Sequence, residues 1–218
     1  PQGVNYDLPR YMSDMVTLLA RLNVEQVDWV GTSMGGLIGI CLAALPDSPI
    51  RSLVLNDIGT HVSKESLQRI VQYLGDHRFA SLAELEQYMR NTYTAYEGLS
   101  DKQWQHLVQA GHRKISDTEY GLHYDPRLVD ATREAQHQDV DLEPFWNMIQ
   151  CPQMLIWGQD SDVLTEETVA RMRQQRPDMD LYQIPGMPHA PSLMEEDQIK
   201  AVQLWLRNNR NKNQETGR

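Results

Sequence analysis

The sequence predicts an α/β protein in which a predominantly parallel sheet is flanked by helices and carries a helical insertion. Three observations point there. Short apolar runs of strand length recur at 27–30, 53–55, 154–157 and 181–184. Helix-period patterns separate them, which is the alternation a parallel sheet with crossover helices needs. From 63 to about 149 the strand patterns vanish and helical windows take over, so that block reads as an insertion standing on the sheet.

Each element has a local reason. Asp7-Leu8-Pro9 opens the first helix, because an aspartate can accept first-turn amides and proline's fixed φ suits that turn. Tyr11, Met12, Met15, Val16, Leu19 and Leu22 then fall on one helical face. The strand over 27–30 leads into a small-residue helix over 35–45, closed by Pro46. A second buried strand over 53–55 ends at Asn56-Asp57-Ile58-Gly59. Strand, helix and strand within this span predict a right-handed crossover between parallel strands. In the insertion, Leu82, Leu85, Tyr88 and Met89, and then Trp104, Leu107 and Val108, mark helices. After the strand at 154–157, a helix over 165–176 stops before Pro177. Leu181, Tyr182 and Ile184 give the last strand, and Ile199, Val202, Trp205 and Leu206 a closing amphipathic helix. The core is therefore assigned to 1–60 and 150–210, the insertion to 61–149, and a polar, disordered tail to 211–218.

Charge and composition narrow the function. Twenty basic residues against thirty acidic ones give a net charge of −10. No basic run offers a track for phosphates, so nucleic acid and anionic membrane are not the expected partners. No apolar run reaches the length of about 18 residues that a membrane span needs. Cys41 and Cys151 sit in apolar surroundings and read as buried thiols rather than a disulfide or metal site. No Walker-type loop or dinucleotide fingerprint is present, so chemistry without metal or cofactor is expected. The chain begins at Pro1, just before a helix, which suggests a piece whose preceding strands and any export signal lie outside it. The cytoplasm is the default compartment.

The chemistry gathers at strand ends. In Gly31-Thr32-Ser33-Met34-Gly35-Gly36 a serine sits where a strand turns into a helix, with glycine two residues to either side. Gly31 and Gly35 are expected to be small because side chains there would clash with the adjacent strand and helix. Ser33, Asp162 and His189 each follow a strand, and parallel sheets gather functional residues at that edge. A serine hydroxyl needs a base to become a nucleophile, and an imidazole that titrates near neutrality can serve. A carboxylate behind the ring fixes its tautomer. Asp162 leads for that role because it lies at the tip of Gly158-Gln159-Asp160-Ser161-Asp162, while Asp160 and Asp57 compete. The Met34 amide opens the helix and can hold part of an oxyanion hole.

At these residues the chain resembles the α/β-hydrolase fold family, through the Ser33 elbow, 53–59, 158–164 and 186–191. The likeness is nearest to bacterial esterase-like and carbon–carbon bond hydrolase-like members, and it spans nearly the whole sequence. It implies Ser33 as nucleophile, His189 as base, Asp162 as acid, Met34 as backbone oxyanion donor and the insertion as a lid. Two departures stand out. The early strands that usually supply a second oxyanion donor do not precede Gly31, and Pro188 stands where glycine usually precedes the histidine. Serine rather than aspartate at the elbow implies acyl transfer to a small-molecule acyl substrate. Hydrolysis of a small or medium carboxylic ester is the expectation. Carbon–carbon cleavage of a dienoic diketone by the same triad is the alternative, and a non-catalytic binding protein the lesser one.

Overall fold

The computed structural model describes residues 6–135 and 138–215. In chain order, the first elements are α1 (Leu8–Leu22), β1 (Val27–Thr32), α2 (Met34–Ala43) and β2 (Ile50–Asn56). The insertion contributes β3 (His61–Val62), α3 (Lys64–Tyr73), β4 (Arg78–Phe79), α4 (Leu82–Thr92), a 3₁₀ turn (Thr94–Tyr96), α5 (Asp101–Gly111), β5 (His112–Ser116) and β6 (Glu119–Leu122). It continues through α6 (Leu128–Ala135), β7 (Val140–Asp141) and α7 (Glu143–Trp146). The chain then returns through β8 (Gln153–Gly158), α8 (Glu166–Gln175), β9 (Asp180–Ile184) and α9 (Glu196–Glu215).

Four strands form one parallel sheet in the order β1-β2-β8-β9. Its centre is apolar on both faces because helices cover both. On β2 the period of two divides the side chains: Leu53 and Leu55 pack with Ile40, Leu42 and Trp146, whereas Val54 packs with Met154, Ile156 and Trp205. Helix α1 begins as the sequence implies. Asp7 accepts the Arg10 amide at 2.9 Å, and Leu8, Tyr11, Met12 and Met15 pack against the first of these clusters.

Two expectations need correction. The insertion is not wholly helical: β4, β6 and β5 form a three-stranded antiparallel sheet. Its strands are two to five residues long and mix Arg, Lys, His and Glu with few apolar residues, so a hydrophobic-pattern reading passes over them. The insertion also carries a core of its own, with Leu85, Met89, Leu99, Trp104, Val108 and Leu122 buried together. At its root β3 pairs with β7, His61 opposite Asp141 and Val62 opposite Val140. The tail assigned to 211–218 is helical as far as Glu215, and the rest of that tail lies outside the described residues. No proline or glycine interrupts the helix before then, and Arg210 pins it to the sheet by bonding Asp28 on β1.

The ladder between β1 and β2 brings two turns together. Thr32 stands opposite Asn56, so the next residues, Ser33 and Asp57, leave the sheet side by side. The Ser33 amide donates to the Asn56 carbonyl at 3.1 Å, tying the two turns together.

Candidate active site

Ser33 is the residue between β1 and α2, and its backbone is left-handed with φ 51° and ψ −120°. Such angles are costly for a residue with a Cβ and persist only where the surroundings impose them. Close packing of the helix start on the strand imposes them here. A Cβ on Gly31 would lie 2.4 Å from the Gly35 carbonyl oxygen, and one on Gly36 would lie 2.2 Å from Ile58 Cγ2. Gly35 departs from expectation: a Cβ there meets nothing within 4 Å, so the crowded pair is Gly31 and Gly36. Gly35 contributes a carbonyl instead, which accepts the Trp29 indole N–H at 2.9 Å.

His189 reaches Ser33 from the loop after β9. Its Nε2 lies 3.0 Å from Ser33 Oγ, and its Nδ1 lies 2.8 Å from Asp57 Oδ2. The carboxylate facing the ring is therefore Asp57, not Asp162. Asp57 has no exposed surface, and its other oxygen accepts the Gly158 amide at 2.8 Å. A buried carboxylate is tolerated when its oxygens are hydrogen-bonded, and here both are. With Nδ1–H donated to the carboxylate, Nε2 is the free acceptor for the serine hydroxyl.

Asp162 serves elsewhere. It is exposed, pairs with Arg69 of α3 (Nη2 to Oδ1, 2.8 Å), and its carbonyl accepts the Ser66 hydroxyl at 2.7 Å. Asp160 is exposed as well. The physical reason lies in strand order. β2 is next to β1, whereas β8 is one strand further away, so the carboxylate that ends β2 is the nearer neighbour of Ser33. The histidine loop crosses the end of β8 to meet it. Gly158 makes room for that crossing, since a Cβ there would lie 2.4 Å from the Met187 carbonyl oxygen. The Asp160 amide then holds the same carbonyl at 3.0 Å.

One supporting residue carries no signal in the sequence. Asn56 is fully buried, and its side-chain amide donates to Thr32 Oγ1 at 3.0 Å and to the Pro191 carbonyl at 2.8 Å. It ties the end of β1 to the histidine loop from behind the site. Met34 stands at the first position of α2, where no preceding turn supplies an acceptor for its N–H. Neither cysteine is an activated thiol. Burial pushes the Cys151 thiol up to about 11 and raises Cys41 as well, so both remain thiols near neutrality. Among the described residues no group of three or more His, Cys, Asp or Glu side chains could hold a metal ion, and no helix is long and apolar enough to cross a membrane.

Comparison with known proteins sets this geometry in context. The family model described as alpha/beta hydrolase fold matches residues 4–196. The 3-hydroxybutyrate-oligomer hydrolase of Cupriavidus necator is 39% identical over 203 residues, covering 89% of this chain and 69% of that protein. The 2-(acetamidomethylene)succinate hydrolase of Mesorhizobium japonicum is 21% identical over 204 residues, 92% of this chain and 71% of that protein. A crystal structure of a Rickettsia typhi protein described as a hydrolase superposes with a TM-score of 0.84 at 31% identity, covering 93% of this chain and 70% of that one. The chain belongs to the alpha/beta hydrolase fold family, and it is an enzyme of that family.

Proposed function

We propose that the protein is a serine hydrolase of carboxylic esters, acting through an acyl-serine, with Ser33 as nucleophile, His189 as base and Asp57 as acid. The single observation that carries this is the unbroken hydrogen-bonded series Ser33 Oγ, His189 Nε2, His189 Nδ1, Asp57 Oδ2, at 3.0 and 2.8 Å. Nε2 takes the hydroxyl proton as Oγ attacks the ester carbonyl, and the tetrahedral oxyanion forms against the Met34 amide. The imidazolium, held by the Asp57 carboxylate, gives the proton to the departing alcohol. Water, deprotonated by the same nitrogen, then hydrolyses the acyl-serine and frees the acid.

The substrate class we infer is a short-chain hydroxy-acid ester or oligoester. Support for it is the identity to the Cupriavidus necator enzyme, whose name gives 3-hydroxybutyrate oligomers as what it hydrolyses. Incubation of the protein with 3-hydroxybutyrate dimers and trimers, followed by chromatography of the acid released, tests it. Monomer should appear with wild-type protein and not with Ser33→Ala. Release at an unchanged rate by Ser33→Ala rejects the mechanism. Hydrolysis of p-nitrophenyl acyl esters without release of hydroxybutyrate rejects only the substrate class.

A further inference from the structure

A hollow of about 280 Å³ opens where the insertion meets the core, and none of Ser33, Asp57 and His189 is in its lining. Its lining includes His61 and Ser63 from the insertion's root, and Thr165, Glu167, Thr168 and Arg171 around α8. Most of these polar groups already have partners. His61 Nε2 lies 3.2 Å from Asp139 Oδ2. Ser63 Oγ accepts the Ser66 amide, and Thr165 Oγ1 accepts the Thr168 amide and bonds the Thr168 hydroxyl. Arg171 differs. Among the described residues its guanidinium has no hydrogen-bond or ion-pair partner, and its Nε is shielded from solvent. Glu167, one turn earlier on α8, lines the same hollow but stands beyond ion-pair distance from it.

An arginine whose guanidinium lacks an acceptor and which lines a hollow of small-molecule size can receive a planar oxyanion on its terminal Nη groups. The guanidinium fork presents two parallel N–H groups that match a carboxylate. We propose that this hollow binds a small monocarboxylate on Arg171. Glu167 sets the limit on charge: a single negative charge is accepted beside it, a phosphate dianion is repelled, and a hydroxyl on the ligand would find an acceptor. The proposal is independent of ester hydrolysis and is read without an activity assay.

The test is thermal unfolding and calorimetric titration of the full chain with acetate and with 3-hydroxybutyrate, against chloride at equal ionic strength, with inorganic phosphate as a parallel arm. The carboxylates should raise the melting temperature with concentration, as any ligand selective for the folded state does. Arg171→Met should weaken binding at least about tenfold, and Arg171→Lys should fall between it and wild type. Glu167→Gln, an exposed change that leaves the hollow's donor in place, should tighten binding about two- to tenfold by removing a repelling charge. No carboxylate-specific rise in wild type, equal binding by all variants, or a phosphate effect larger than that of the carboxylates would each overturn it.

Discussion

Asp57 combines a left-handed backbone (φ 55°), full burial, and one bond on each carboxylate oxygen. Asp57→Asn keeps the shape but offers the imidazole an amide, which favours the wrong tautomer. Its kcat should fall by roughly 10³–10⁴, measured with p-nitrophenyl butyrate, whereas Asp162→Asn should leave kcat little changed. Inverted results would return the acid to Asp162. The glycines give a second prediction. Gly31→Ala drives a methyl into the Gly35 carbonyl and should cost about 1–3 kcal/mol. Gly35→Ala has open space within a helix and should gain about 0.5–1 kcal/mol. Melting temperatures of the two variants check both signs. At this scale the sequence discloses the serine and the histidine well, since each sits in a motif with a mechanical reason. It discloses the acid poorly, because three aspartates end strands and only the order of those strands in space chooses among them.

At the scale of elements, β1, β2 and α9 meet at one charge. Asp28 on β1 accepts both the Nε and Nη2 of Arg51 on β2 at 2.7 Å, the Ser52 hydroxyl at 2.7 Å, and Arg210 of α9. The Arg51 hydrogen bonds hold its carboxyl well below the usual carboxylate range, against the opposing effect of burial. A depressed folded value stabilises the protein above the unfolded value of 3.8 and loses that contribution as pH falls below it. Asp28→Asn should therefore lower the melting temperature near neutrality and flatten its decline from about pH 5 to pH 3. Parallel acid profiles for the two proteins would refute this. The elements themselves are largely legible in the sequence. The four sheet strands and the two long flanking helices announce themselves through apolar runs and caps. The short strands of the insertion do not, because pairing with each other rather than an apolar face makes them strands.

Over the whole molecule, the insertion is tied to the core by polar contacts far apart in sequence. The Leu142 amide donates to the Thr60 carbonyl at its root, Ser66 and Arg69 of α3 grip Asp162, and the Gln103 side chain of α5 donates to the Met194 carbonyl at 2.7 Å. The last of these lies five residues beyond His189, so the insertion steadies the loop that carries the proposed base. The Arg69–Asp162 pair is about half exposed, and pairs of that kind contribute roughly 0–1 kcal/mol. Arg69→Ala should accordingly leave the melting temperature almost unmoved while raising KM more than it lowers kcat, because it loosens the seam and not the triad. Steady-state kinetics beside a melting curve separate these outcomes; a collapse of kcat with KM constant would contradict the assignment. The sequence marks the insertion by its change of texture, but not these anchors, which join exposed polar residues of ordinary appearance.

The side-by-side emergence of positions 33 and 57 has a consequence for biosynthesis. The alcohol and the carboxylate belong to one strand–helix–strand unit, while the imidazole stands 132 residues beyond the carboxylate. A nascent chain can thus bring together two of the three proposed catalytic groups and still lack the third. On the proposed mechanism, hydrolysis waits until the segment that carries His189 has been made and folded.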